Sequence, residues 1–188
     1  DDSLAGALGN DLMGGFADGD KLAFFYTNGW NQYRVSGGRW IKATLDSIAP
    51  SAIHITPGMG MRVMMSNPTN TLMFYPYNSV SNITTIVYGT NWGGMGGWNL
   101  LSWPFLVGQT ASSGWGFSGL AENGDKLYMY TAGHYDAKLW WSPPSGTPPN
   151  RWMQGANASS YTIRSGQAFW YYRSVTGSNL WTAVNPSP

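Results

Sequence analysis

The segment GDKLAFFYTNGW, beginning at Gly19, returns as GDKLYMYTAGHY at Gly124, 105 residues later. Self-similarity at a fixed spacing constrains the fold more than any single motif here, because each copy of a repeated supersecondary unit must bury its apolar face in the same way. The match continues beyond its opening. Arg39-Trp40, after the Gly37-Gly38 turn, corresponds to Arg151-Trp152, after SPPSGTPPN, so the second copy has lengthened one hairpin with proline-rich residues suited to an exposed loop. IHITPGMGMRV from Ile53 aligns with YTIRSGQAFWY from Tyr161 at a spacing of 108, pairing Ile55 with Ile163 and Gly58 with Gly166. NTLMFYPY from Asn70 aligns with SNLWTAVN from Ser178 at the same spacing, so the repeat runs from about Gly15 to Tyr77 and from Gly119 to Asn185.

The residues inside the repeat dictate strands. The 25 Gly and 11 Pro interrupt nearly every window long enough for three helical turns. KLAFFY (Lys21 to Tyr26), MRVMM (Met61 to Met65), TLMFY (Thr71 to Tyr75), TTIVYG (Thr84 to Gly89) and FWYYR (Phe169 to Arg173) are short, aromatic or β-branched, and bounded by turn residues. Asn28-Gly29 and Ala132-Gly133 supply tight hairpin turns at corresponding places. The expectation is an all-β chain of two homologous small β-sandwich or open-barrel modules in tandem, joined by a central strand-rich segment: residues 1–80, linking strands 81–105, and residues 106–188. The alternative is a single sandwich whose two sheets resemble each other.

Two segments lie outside the repeat. WNLLSWPF (Trp98 to Phe105) has no counterpart before copy one, and SNITTIVYGTNW, after Tyr77, has none behind copy two. Each copy is thereby expected to lack one strand, at opposite ends of the chain, and to expose an edge that strand addition from another molecule covers. A heterologous contact of that kind propagates into a filament, with the segment from Ile83 to Phe105 bracing the modules within each subunit.

Charged residues are only 10% of the chain, against a usual share of about 25%, and hydrophobic residues 43%, which suits an ordered β protein whose solubility rests on Gly, Ser, Thr and Asn. With a net charge of +1 and its ten Lys and Arg scattered among nine acids, the sequence has no basic run, and nucleic acid is not an expected partner. The absence of cysteine removes disulfides, thiolate metal cages and cysteine nucleophiles. Apolar runs such as LLSWPFLV fall short of the ~18 residues of a membrane-spanning helix, and DDSLAGALG lacks the charge and apolar pattern of a signal peptide. Asp1 in place of an initiator Met is read as a mark of processing, with export and cleavage as the expected cause.

The order of the unit resembles small β modules found in tandem in exported, surface-anchored proteins of Gram-negative bacteria. In those an N-L-x-S-x-P-F strand opens the unit and an x-P-G-x-G-x-x-V turn and strand come late. Asn99 to Phe105 carry the first motif and Thr56 to Val63 the second, although Arg164-Ser165 replaces Thr56-Pro57 in copy two. The resemblance implies an extracellular or cell-surface setting and no catalytic residues.

Catalytic patterns are thin. The two histidines, His54 and His134, occupy non-equivalent positions of the repeat, so no shared metal site rests on them. GFSGL around Ser118 misses the nucleophile-elbow pattern because Leu120 stands where the second glycine belongs. Glu122 is the only Glu and the Asp residues cluster in turns, which leaves no convincing acid/base pair. NWGGMGGWN has the glycines of a phosphate loop without its Lys-Ser/Thr. The acidic turns Asp18-Gly19-Asp20 and Glu122-Asn123-Gly124-Asp125 recur, and such turns serve either as Asx turns or as part of a calcium site. Two sequons, at Asn82 and Asn157, permit glycosylation in a competent host.

Aromatic residues are the distinctive chemistry, with 11 Trp, 11 Tyr and 7 Phe. Flat rings with a polar handle suit a core, a protein interface or the face of a sugar. Trp30, Trp40, Trp140, Trp141 and Trp152 lie in or beside turns, where a binding platform is expected. The sequence therefore reads as a non-enzymatic extracellular structural protein, without a cofactor or metal, whose partners are copies of itself assembled head to tail into a filament or surface layer. The rival is a lectin-like protein whose turn-borne tryptophans bind polysaccharide.

Overall fold

The structure, a computed structural model, describes residues 16–26, 29–42, 60–66, 82–91, 96–103, 105–110, 115–117, 120–131, 134–146 and 149–186. Among these residues the chain is all-β, with strands and turns and no helix. A four-stranded antiparallel sheet in the order β3-β2-β1-β4 comprises β1 (Lys21–Tyr26), β2 (Gly29–Ser36), β3 (Arg39–Lys42) and β4 (Met61–Met64). The central segment supplies β5 (Asn82–Tyr88) and β6 (Trp98–Ser102), followed by the short β7 (Gln109–Thr110). The second half contains β8 (Lys126–Thr131), β9 (His134–Ser142), β10 (Arg151–Gln154), β11 (Asn157–Ala158), β12 (Thr162–Ile163), β13 (Ala168–Tyr172) and β14 (Ser178–Val184). A six-stranded sheet has the order β11-β10-β9-β8-β13-β6, and β7 with β12 and β5 with β14 form two-stranded ribbons.

The sequence repeat is also a repeat of register. Lys21 to Phe24 of β1 face Met64 to Met61 of β4, and the corresponding Lys126 to Met129 of β8 face Tyr172 to Phe169 of β13. The two hairpins pair out to Tyr26 opposite Gly29 and Thr131 opposite His134. Gly29, expected in a bend with Asn28, therefore opens β2. A bulge in β9, between the Met129–Ala137 and Tyr130–Tyr135 pairs, then inserts one residue in copy two. That extra residue keeps Trp141 opposite Trp152, as Val35 stands opposite Trp40.

Each acidic turn is locked by its own carboxylate. Asp20 accepts hydrogen bonds from the amide of Ala17 at 2.9 Å and from the amide and hydroxyl of Ser66, both at 2.6 Å. Asp125 accepts from the amide of Glu122 at 3.0 Å and from the amide and hydroxyl of Ser174, both at 2.7 Å. Tyr171 adds its hydroxyl as a fourth donor to Asp125. The glycines before these aspartates have φ of 95° at Gly19 and 94° at Gly124, a left-handed conformation that costs glycine little. Carboxylate oxygens surrounded by N–H and O–H donors serve the turn as acceptors, each reaching back to the amide three residues earlier and not forward two residues as in an Asx turn.

The main core lies inside the second half and the central segment, where Trp103, Phe105, Trp115, Phe117, Phe169 and Trp181 are buried. Phe117 stacks on Trp181 with ring centroids 5.6 Å apart. In the four-stranded sheet, Leu22, Phe24, Val35 and Trp40 are buried on one face, and Phe16 packs edge-on to Trp40 at 5.1 Å.

The vacancy expected beside the last strand of copy two is filled from within the chain. β5 pairs with all seven residues of β14, from Ser178 opposite Tyr88 to Val184 opposite Asn82. A strand of the same chain forgoes the translational entropy that a second molecule must lose, so it takes the edge first. Asn99 of β6 then ties this ribbon to the large sheet: its side-chain oxygen accepts from the Tyr88 amide at 2.8 Å and its nitrogen donates to the Tyr88 carbonyl at 2.9 Å. The edge expected near Asp1, the strand Thr71 to Tyr75, and the pairs Ile55 and Gly58 lie outside the described residues; Gly166 has the expected positive φ, 67°.

Candidate binding surface

Strand pleating sends alternate residues to opposite faces, and in the six-stranded sheet both faces are aromatic. In β13, Phe169 and Tyr171 turn inward, whereas Trp170 and Tyr172 turn outward and are half-buried. Leu127 and Met129 of β8 are buried while Tyr128 points out, and Trp98 and Leu100 of β6 share that outer face by register. The outward rings form a connected strip. Trp98 lies 5.1 Å from Tyr128, 5.1 Å from Tyr172 and 6.2 Å from Trp170, and Tyr128 lies 5.4 Å from Tyr135 on β9.

The strip extends onto the four-stranded sheet. Phe25 of β1 and Trp30 of β2 meet Trp170 edge-on at 4.8 and 5.8 Å. At the same junction the Gly60 amide donates to the Leu100 carbonyl at 3.2 Å. Edge-on contacts place the positive rim of one ring against the negative face of another, which fixes ring orientation.

Lysines punctuate the strip. Lys126 Nζ lies 5.7 Å from the centre of the Tyr172 ring, and Lys138 Nζ lies 5.5 Å from Tyr128 and 5.3 Å from Tyr135, within reach of a cation–π attraction. On the four-stranded sheet, the pairing of Lys21 with Arg34 and of Ala23 with Arg62 puts these three exposed cations on the face that carries Phe25 and Trp30. None of the five makes an ion pair among the described residues.

The five tryptophans expected to form a platform divide. Trp30 is 38% exposed and Trp140 42% exposed, and Trp140, opposite Lys126, borders the strip. Trp40, Trp141 and Trp152 are a correction: they are 0%, 7% and 3% exposed and belong to the core. Pleating explains this, since Trp40 shares the inner face with Val35, and Trp141 and Trp152 are cross-strand partners 5.2 Å apart. Proximity to a turn does not decide which way a side chain points. Trp98, Tyr128, Tyr135, Trp170 and Tyr172 are the surface residues that the turn criterion passes over. The alternation in AFWYY and KLYM was the available signal for Trp170, Tyr172 and Tyr128.

Other candidates have separate places. His134 is exposed and its Nε2 lies 3.3 Å from Asp136 Oδ1, where the bulge brings the two together. Tyr161 donates to Asp136 at 3.3 Å and accepts from the Gln167 amide at 2.7 Å; burial raises its phenol above the ordinary value. Among the described residues no three His, Asp or Glu side chains converge as a metal site, and no helix is long and apolar enough to cross a membrane. His54 and Ser118 lie outside the described residues. Comparison of the chain with protein-family models, with curated proteins and with solved structures finds no match.

Proposed function

We propose that this chain is a non-enzymatic extracellular carbohydrate-binding protein built from two homologous β modules in tandem. The outer aromatic strip carries the reading: six rings, Trp30, Trp98, Tyr128, Tyr135, Trp170 and Tyr172, connect across two sheets and keep part of their surface exposed, with the buried Phe25 packed edge-on against Trp30 and Trp170. Rings held edge-on by their neighbours are pre-oriented, and a pre-oriented apolar surface loses little entropy when a sugar lies against it. The tandem arrangement is supported by the matching registers and by the Asp20–Ser66 and Asp125–Ser174 clamps. The likeness of the repeat to modules of exported proteins motivates the extracellular setting.

The test is a glycan array and affinity electrophoresis on the folded chain. Trp30→Ala and Trp140→Ala, both at exposed positions, are expected to weaken binding with near-ultraviolet circular dichroism otherwise preserved. A chain that binds no glycan ends this reading.

Self-assembly is the second reading, and one observation favours it. Ile86 and Leu180 are cross-strand partners, 49% and 58% exposed, on the outer face of the β5–β14 ribbon, where Val184 is also exposed. An apolar patch of this kind suits contact with another copy in a filament or layer. Sedimentation at rising concentration tests it: self-association that Leu180→Lys abolishes supports assembly through this face, and a monomer at every concentration removes it.

A further inference from the structure

We infer that the glycan taken by the aromatic strip is an anionic polysaccharide, a polymer of uronic acids. This rests on the carbohydrate-binding reading and adds the charge of the ligand. Ten Lys and Arg lie scattered along the chain, yet the fold gathers Lys21, Arg34, Arg62, Lys126 and Lys138 onto two sheet faces that meet at Trp170. None of these five has a carboxylate partner among the described residues. Four of the described acids are engaged elsewhere: Asp20 and Asp125 are buried and hold their turns, Asp18 accepts from the amides of Gly37 and Gly38, and Asp136 sits with His134. Among the described residues a small net charge thus conceals a cluster of one sign on these faces.

The spacing of rings and cations suits an anionic sugar. The ammonium groups of Lys126 and Lys138 lie against the rings of Tyr172, Tyr128 and Tyr135, which leaves Trp30 and Trp140 as the more open rings for a ligand. The same ammonium groups keep N–H donors for a carboxylate, while the exposed rings of Trp30 and Trp140 meet the apolar face of a pyranose. Fixed charges spread over two faces suit a polymer with charge on every residue better than one small anion.

The experiment measures binding of the full chain to alginate, to neutral dextran, to poly-L-glutamate and to single-stranded oligo-dT by affinity electrophoresis and calorimetry. Alginate is expected to bind at least about tenfold more tightly than dextran, and to lose that advantage as sodium chloride rises from about 20 mM to about 300 mM, because exposed charges are screened. Lys126→Gln with Lys138→Gln, and separately Arg34→Gln with Arg62→Gln, are expected to draw the alginate-to-dextran ratio toward one. Trp140→Ala is expected to weaken alginate while leaving the salt dependence in place. Equal, salt-independent binding of alginate and dextran overturns the charge inference and leaves the carbohydrate reading standing. Absence of alginate binding overturns the charge inference, and absence of binding across the glycan array as well ends both. Binding of poly-L-glutamate or oligo-dT as tight as that of alginate overturns the inference too, by showing a surface that reads charge alone.

Discussion

Two buried carboxylates hold the repeat together, one in each copy. Asp125 has four donors pointed at it and Asp20 has three, so removing either buried carboxylate takes the acceptor from partly buried amides and hydroxyls. Asp125→Asn is expected to lower stability by about 1–3 kcal/mol, since an amide nitrogen then faces a donor, and urea unfolding measures it. Burial alone would raise the pKa of Asp20, but the Ser66 hydroxyl and the amides of Ala17 and Ser66 together hold it below the ordinary carboxylate value. A lowered native pKa contributes stability above the unfolded value of about 4, and the contribution is lost as pH falls through the native value. The difference between the native chain and Asp20→Asn is therefore expected to shrink below about pH 4.

Tyr171 acts at the other end of the pH scale. Burial pushes its phenol well above the ordinary value, and the Asp125 carboxylate beside it pushes in the same direction. A raised native pKa means that the folded chain keeps a proton the unfolded chain releases near pH 10, so this contribution is complete below that pH and falls above it. The slope is about 1.4 kcal/mol per pH unit for the one group. Urea midpoints at rising alkaline pH are expected to fall more steeply for the native chain than for Tyr171→Phe.

At the scale of elements, the decisive piece is β5, which belongs in sequence to the stretch between the copies and in space to β14. Its attachment to the large sheet runs through Asn99, whose side-chain amide stands in for a strand partner to the backbone of Tyr88. Asn99→Leu is expected to cost about 2–3 kcal/mol by removing these two hydrogen bonds between β6 and β5. Hydrogen exchange in β5 and β14 should accelerate before exchange in β8 and β13. On the far side of the ribbon, Gly116 has a φ of 74° and its α-carbon backs onto the Thr182 carbonyl, where a Cβ would lie 1.9 Å from the oxygen. Any side chain at this position pushes the Trp115 to Phe117 segment off β14.

For the whole molecule, the two halves of the sequence are unequal partners. The second copy draws β6 to the edge of β13 and β5 to the edge of β14. A fragment that begins at residue 106 is therefore expected to be insoluble or loosely packed, because it leaves both edges open and removes Trp103 and Phe105 from the core. A fragment of residues 82–188 is expected to fold, with sharp amide dispersion by NMR. If the shorter fragment folds as well as the longer one, the central strands are dispensable to the core.

The sequence by itself determined the strand class and the two matching acidic turns. These depend on local sterics, alternation and glycine, which neighbouring residues settle among themselves. KLAFFY forms β1 with the boundaries its composition demands, and Asp20 and Asp125 stand at equivalent places because the same short motif makes the same turn. Only the tertiary structure decided which aromatic rings face water and where the cations gather. Trp40 and Trp152 are buried and Trp98 and Trp170 lie on the outer strip because pairing register, not distance from a turn, assigns each residue to a face. The pairing of β5 with β14 was equally hidden, since a contact between residues nearly one hundred positions apart is selected by the whole packed core and leaves no local mark on either strand.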